Sequence, residues 1–321
     1  MTSPSAIQEL VNRVRSGDPR ALARAISLVE NHGAHSIEVL KHLFPFSGRA
    51  TLIGMTGAPG AGKSTLVDQM AREYRKQRKT IGIIAVDPTS PFSGGAILGD
   101  RIRMQAHYAD PGIYIRSMAT RGSLGGLAST TADVATVIDA SGRDLVMIET
   151  VGVGQDEVDI VGLADVTVVV LVPGMGDDVQ TIKAGIMEIA DVFVINKADR
   201  DGAERVEREI RAMQSLSVRS DSWVPPIVKT VATEGSGISD VVSAIEQYRE
   251  YLIEGSAGDH RRVANWRKRI TEMLRDALFR RVVVDYLGDG QADRLAAEVA
   301  EHKRDPYSLV EQIVGELGKH P

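Results

Sequence analysis

The chain carries Gly57-Ala58-Pro59-Gly60-Ala61-Gly62-Lys63-Ser64, a full match to G-x-x-x-x-G-K-[ST]. Residues of this type at this spacing bind phosphate. The glycines turn successive backbone N–H groups inward, so Ala58, Gly60, Ala61 and Gly62 can line a cradle for an anion. A helix opening at Lys63 adds the partial positive charge of its N-terminus. Lys63 is placed to reach the β- and γ-phosphates, the Ser64 hydroxyl to ligate Mg²⁺, and Thr65 to donate to the α-phosphate. A glycine-rich turn can match by chance, but the run Leu52–Thr56 before it reads as a strand. The dinucleotide pattern GxGxxG is absent from this loop.

A second group selects the base. Asn196-Lys197-Ala198-Asp199 follows the apolar run Val192–Ile195 and fits N-K-x-D. A carboxylate at Asp199 can accept from guanine N1–H and from the exocyclic amine. Adenine offers neither donor there and would leave the carboxylate unpaired, at a cost of a few kcal/mol. The Lys197 stem can pack over the base while Asn196 braces the loop. After the next strand, Val231-Ala232-Thr233 can offer backbone N–H groups to guanine O6, although the usual Ser-Ala pair reads Val-Ala here. The ligand expected is GTP or GDP, not ATP.

A third group concerns metal and water. Asp87 ends the run Ile81–Val86 and opens a Gly/Pro/Ser-rich stretch reaching Asp100 and Arg101. Glu149 ends the run Leu145–Ile148 and opens Glu149-Thr150-Val151-Gly152-Val153-Gly154-Gln155. It stands where many nucleotide hydrolases carry D-x-x-G, a carboxylate near Mg²⁺ followed by a glycine that senses the γ-phosphate. Asp87, Asp100 and Glu149 are therefore the candidate metal and catalytic carboxylates. Taken singly each acid more often serves as a helix cap or surface charge. At strand ends beside the phosphate loop Asp87 and Glu149 fit metal or water duty better, while for Asp100 the two readings stay balanced. Gln155 is not adjacent to Gly152, so the water-positioning role is left unassigned. Pro173-Gly174-Met175-Gly176-Asp177-Asp178 leads toward Lys183, either as an ordinary strand-to-helix turn or as a further switch whose lysine pairs with acids of the others. His32, His35 and His42 could ligate a metal in principle, but Asn31–Ser36 reads as a turn between helices.

The elements that position these groups follow from the apolar pattern. Seven β-rich runs, Leu52–Thr56, Ile81–Val86, Ile113–Ser117, Leu145–Ile148, Val166–Val172, Val192–Ile195 and Ile227–Val231, alternate with helical runs. Most are continuously apolar, as strands buried on both faces of a parallel sheet must be. The fold class expected is α/β, a doubly wound, mostly parallel sheet of the P-loop GTPase type with helical N- and C-terminal extensions. At the N-terminus Ile7, Leu10, Val11 and Val14 recur at helical spacing, and Asp18-Pro19 reads as an N-cap followed by proline at the first helical position. At the C-terminus helical runs lie near Val263–Val284, Ala292–His302 and Pro306–Leu317, after an expected linker at Gly255–Gly258. The domains expected are residues 1–48, 49–255 and 256–321. Bases outnumber acids between Arg261 and Arg281, which fits a solvated helix face or subunit contact better than an anionic partner.

Composition bounds the rest. The 321 residues are 43% hydrophobic and 25% charged, with a net charge of −5 and only 4% aromatics. That balance suits a globular protein with a sizeable core, and neither the charge nor the aromatic content favours nucleic acid or anionic lipid. The absence of cysteine removes disulfides, thiolate zinc sites and cysteine nucleophiles, and fits a reducing compartment. The first residues lack a secretory pattern and the most apolar run is too short to span a bilayer, so a cytoplasmic protein is expected.

Taken together, GAPGAGKST, DPTSPFSGGAILGDRIRM, ETVGVGQDE, PGMGDDVQTIKAG and NKAD resemble the methylmalonyl-CoA mutase-associated GTPases of the MeaB/ArgK type. The resemblance covers the whole central domain, and the second and fourth motifs are long and unusual enough to make it specific. It implies switch segments at Asp87–Arg103, Glu149–Gln155 and Pro173–Lys183, and a homodimer built partly from the C-terminal helices. It also implies a partner, an adenosylcobalamin-dependent acyl-CoA mutase (methylmalonyl-CoA mutase), which the GTPase protects and whose cofactor loading it gates. Position 58 is Ala, so the phosphate-loop lysine of many relatives in the wider class is absent. Two alternatives stand beside this reading: a kinase or regulator of a periplasmic amino-acid transport system, and a nickel-insertion GTPase. The base-reading motif disfavours the first, and the lack of cysteine and of a His-rich tract disfavours the second.

Overall fold

Strand β1 (Thr51–Thr56) lies at the centre of a seven-stranded sheet of order β3-β2-β4-β1-β5-β6-β7. The others are β2 (Ile81–Asp87), β3 (Ile113–Ala119), β4 (Leu145–Glu149), β5 (Val166–Leu171), β6 (Val192–Asn196) and β7 (Ile227–Thr230). Every pairing is parallel. In this computed structural model the residues described are 4–87, 107, 109–119, 126–150, 162–174, 189–216, 221–255, 257–286, 288 and 290–317. The chain divides into two compact units, Met1–Asn265 and Trp266–Pro321.

The order explains where a ligand can sit. From β1 the chain steps outward past β4 to β2 and β3, then returns to β4 and crosses β1 to reach β5. The crevice of such a sheet opens at the carboxyl ends of the strands around that reversal. Register places Glu149 of β4 beside Met55 of β1, so the end of β4 lies next to the start of the glycine-rich loop.

Both faces of the sheet are covered, which is why its strands are apolar throughout. On one face Ile53, Met55, Met147, Val168 and Val194 pack under α4 (Lys63–Lys76) and α7 (Ile238–Glu254). On the other, Ile84, Val86, Val146 and Ile148 meet α5 (Gly126–Ala140) together with helices α1 (Pro4–Arg15), α2 (Pro19–Glu30) and α3 (Ser36–Leu43). Helix α6 (Ala203–Leu216) covers Val169, Phe193 and Ile195. The N-terminal helices thus share a core with the sheet. Full burial of Leu22 and Ile26 at 0% exposure corresponds to roughly 1.5–3 kcal/mol each. Asp18 caps α2 as expected, accepting from the Arg20 and Ala21 N–H groups. The connection from α3 into β1 is held by Asp139 at the end of α5, which accepts from the amides of Gly48, Arg49 and Ala50.

One expectation needs correction. The linker placed at Gly255–Gly258 shrinks, because Gly255 is extended but α8 (Ala257–Tyr286) already includes Gly258. Glycine is tolerated in a first turn, and Arg261 fastens that turn to the sheet. Its guanidinium donates to both oxygens of the buried Asp191 at 2.9 and 2.8 Å. Burial pulls the Arg261 pKa down, but Asp191, with Tyr248 and Asp165, raises it above its ordinary value. Helices α9 (Gln291–Ala300) and α10 (Pro306–Leu317) complete the second unit.

Candidate functional site

The glycine-rich loop occupies the turn between β1 and α4, and its conformation depends on glycine at two positions. Gly57 has φ +139°, and a Cβ there would lie 2.1 Å from the Val170 carbonyl oxygen. Gly62 has φ +90°, and its Cβ would meet Asn196 Nδ2 at 2.4 Å. Only a residue without a side chain permits both the dihedral and the approach. Gly62 then ends the loop directly before α4, which begins at Lys63. Lys63 is buried and folds back along the loop, its Nζ donating to the carbonyls of Gly57 at 2.5 Å and Ala58 at 3.1 Å.

Ser64 follows on the first turn of α4 and its Oγ donates to Glu149 Oε1 at 2.6 Å. Glu149 is 4% exposed at the end of β4. Two hard oxygen donors thus meet beside the phosphate loop, the donor set that suits Mg²⁺ with its preference for a few protein oxygens and retained waters. Nitrogen and sulfur ligands take no part in the pair. Beyond Glu149, the Thr150 amide donates to the Met55 carbonyl at 3.1 Å and its hydroxyl to that of Thr56 at 3.4 Å. The ends of β4 and β1 are therefore joined where the loop leaves the sheet.

The N-K-x-D motif sits at the end of β6, directly beside the glycine-rich loop. Asn196 is buried, and its Nδ2 donates to the Ala61 carbonyl at 2.8 Å. Its Oδ1 accepts from Thr230 Oγ1 and from the Ala232 amide, each at 3.1 Å. Lys197, with φ +57°, donates from Nζ to the Gly60 carbonyl at 2.8 Å. Asp199 is exposed. Of the Val231-Ala232-Thr233 amides, Val231 donates to the Ser236 carbonyl and Ala232 to Asn196, while the Thr233 amide has no partner among the described residues.

Lys63, Ser64, Glu149, Asn196 and Lys197 are therefore brought together, with Ala58, Gly60, Ala61 and Thr65 on the same loop and helix start. The backbone of Asp87 ends β2 on the same edge of the sheet, in register with Ala119. Its side chain, Asp100 and Lys183 lie outside the described residues, as do 88–106, 151–161 and 175–188 of the expected switch segments. Among the described residues no group of three or more His, Asp or Glu forms a metal cluster, His32, His35 and His42 included. Thr230 and the Thr56–Thr150 pair stand outside the candidate binding and catalytic residues read from the motifs. The available signal was their position, each at or beside the carboxyl end of a strand.

This sheet, with the glycine-rich loop after its central strand and covering helices on both faces, is the P-loop GTPase fold. Its family follows from comparison with known proteins. The family model described as "Methylmalonyl Co-A mutase-associated GTPase MeaB" matches residues 22–286. The chain belongs to that family and is a GTPase. A protein of Pyrococcus abyssi is 49% identical over 317 residues, 97% of each chain. The GTPase ArgK of Escherichia coli is 36% identical over 260 residues, 78% of each chain. Among solved structures, the crystal structure of an LAO/AO transport system kinase is similar with a TM-score of 0.73 at 25% identity, covering 99% of each chain.

Proposed function

We propose that this GTPase is Mg²⁺-dependent and acts as chaperone and regulator of an adenosylcobalamin-dependent acyl-CoA mutase, methylmalonyl-CoA mutase, gating cofactor loading and protecting the mutase. The observation that carries the nucleotide part is the bracing of the glycine-rich loop by Asn196 and Lys197, which supports base and phosphate recognition acting together. Asp199 reads guanine, the Lys197 stem covers the base, and the Thr233 amide is the available donor for guanine O6. The γ-phosphate competes with the Gly57 and Ala58 carbonyls for Lys63. Ser64 and Glu149 hold the metal, together with Asp87 and Asp100. When bound, Mg²⁺ supplies charge stabilisation for phosphoryl transfer. Lys183 and the carboxylates complete the catalytic set.

The mutase partner rests on family membership. A homodimer is supported by exposed apolar residues on the C-terminal helices, Ile270, Leu274 and Leu278 of α8 with Val310 and Val314 of α10. A cytoplasmic location agrees with the cysteine-free composition, and no described helix is long and apolar enough to cross a membrane.

The deciding experiment is GTP hydrolysis by the purified chain with Mg²⁺, with and without a cobalamin-dependent mutase. Stimulation, with a complex that answers differently to GDP and to a non-hydrolysable GTP analogue, is the result expected. Basal turnover that ignores the mutase removes the partner and leaves the GTPase. The second reading, a transport-system kinase, draws on the likeness to the structure of that name. Labelled γ-phosphate recovered on a transport protein instead of as inorganic phosphate would favour it.

A further inference from the structure

Lys229 lies on β7, an edge strand of the sheet, and has no part in the site described above. A lysine on an edge strand commonly points into water and discourages strand-to-strand association. Here the side chain is only 35% exposed, and its Nζ is drawn onto α6, 2.6 Å from Glu204 Oε1 and 2.7 Å from Glu207 Oε2. Glu207 is 18% exposed and also accepts from Arg211 Nε and Nη2, at 3.0 and 2.8 Å. Lys229, Glu204, Glu207 and Arg211 therefore form a network, the arrangement in which partly exposed charges contribute measurably, where a lone surface pair adds little.

The network closes a loop. Strand β6 ends at Asn196, opposite Thr230 of β7. The Ala198 amide donates to the Thr230 carbonyl at 3.0 Å, so the chain is fastened to β7 immediately before Asp199. Helix α6 begins at Ala203, and its first turn carries Glu204. Asp199 thus sits on a short segment held to adjacent residues of β7 at both ends, Thr230 before it and Lys229 after it. The same strand runs on into Val231-Ala232-Thr233. That turn is closed by the Val231 amide on the Ser236 carbonyl at 3.1 Å, and by Gly237, where a Cβ would lie 2.1 Å from the Lys229 carbonyl oxygen. A guanine edge needs an acceptor for N1–H and the exocyclic amine and a donor for O6, at one fixed spacing. Asp199 and the Thr233 amide would supply them from two segments that Lys229 ties to one strand.

We infer that Lys229 is a positioning residue for guanine selectivity, holding the Asp199 loop in register with the turn after β7 through Glu204 and Glu207. The inference deepens the guanine reading of the proposed function and rests on it. The test measures GDP and ADP affinity of the full chain as wild type, Lys229→Met, Lys229→Arg and Glu204→Gln/Glu207→Gln. Each is titrated at low salt and at about 1 M NaCl. GDP and ADP carry the same phosphates, so the ratio of their affinities cancels the contribution of the glycine-rich loop and reports the base alone.

The expected result is a GDP-to-ADP ratio about three- to tenfold smaller in Lys229→Met, with ADP affinity within about twofold of wild type. Lys229→Arg keeps the charge and recovers the ratio, while the double glutamine variant loses it as Lys229→Met does. High salt lowers the ratio more in wild type than in Lys229→Met, because a partly exposed network is screened. Should Lys229→Met fail to fold, the double glutamine variant carries the comparison. An unchanged ratio overturns the inference, as does an equal loss of GDP and ADP affinity or a lost ratio that arginine does not restore. Wild-type chain that binds GDP and ADP equally removes the underlying guanine reading instead, so the two failures are distinct.

Discussion

Asn196 Nδ2 donates to the Ala61 carbonyl across a sequence separation of 135 residues, and Asn196 Oδ1 accepts from both Thr230 and Ala232. One buried amide therefore joins the glycine-rich loop, the N-K-x-D loop and the turn after β7. Truncation would leave two donors and a carbonyl in a buried setting, at about 1–3 kcal/mol for each group not rescued by water. Asn196→Ala is expected to weaken GTP and GDP alike by roughly 10–100-fold, as fluorescent-nucleotide titration would measure. A variant that lost preference for guanine but kept overall affinity would contradict this bracing role.

Gly57→Ala places a methyl group 2.1 Å from the Val170 carbonyl at φ +139°. The loop must move or β1 and β5 must part, and either outcome disrupts the phosphate cradle. Binding of GDP is expected to fall at least tenfold, with a drop in stability of about 1–3 kcal/mol by urea unfolding. Normal affinity in the folded variant would mean that another loop conformation binds phosphate.

Lys63 and Asp199 should fail in different ways. Lys63→Ala removes the phosphate contact and is expected to abolish turnover and weaken every nucleoside triphosphate. Asp199→Asn spares the phosphate loop and lowers preference for GTP over ATP, by about 1–3 kcal/mol in competition binding. Retained GTP turnover in the lysine variant would refute the phosphate assignment.

Arg261 is the charge partner of Asp191, whose side chain is 1% exposed. Arg261→Met removes the charge partner of that carboxylate, which keeps the Thr167 amide as a donor at 2.8 Å, and is expected to cost roughly 3–5 kcal/mol in urea unfolding. Arg261→Lys should not rescue it, because a point charge cannot reproduce the two-pronged contact. Asp191→Asn combined with Arg261→Met should be less damaging than Arg261→Met alone.

The attachment of His107 and Asp110 to α4 should be acid-sensitive. Burial would raise the Asp68 pKa, but His107 and Arg72 hold it below its ordinary value, while Asp110 is lowered chiefly by its hydrogen bond to Arg75. A depressed folded-state pKa contributes stability above the unfolded pKa, and that stability is lost as pH falls through the folded value. The Asp68→Asn/Asp110→Asn chain is expected to be less stable at neutral pH and to lose less on going from about pH 5 to pH 3. An identical acid limb in both chains would show that these carboxylates do not govern it.

The local structure confined to short contiguous stretches was legible in the sequence. Gly57–Ser64 carries its own turn geometry and helix start, and the apolar runs mark strands within one or two residues, because backbone conformation and strand burial are written locally. Asp18-Pro19 fixed the start of α2 for the same reason. What the tertiary structure decided is which distant residues meet. Asp139 receives the amides of residues 48–50, Arg261 finds Asp191, Thr230 finds Asn196, and His107 finds Asp68. These pairings follow from strand order and helix packing. A single polar residue leaves no periodic trace of the partner it will have once the sheet has formed.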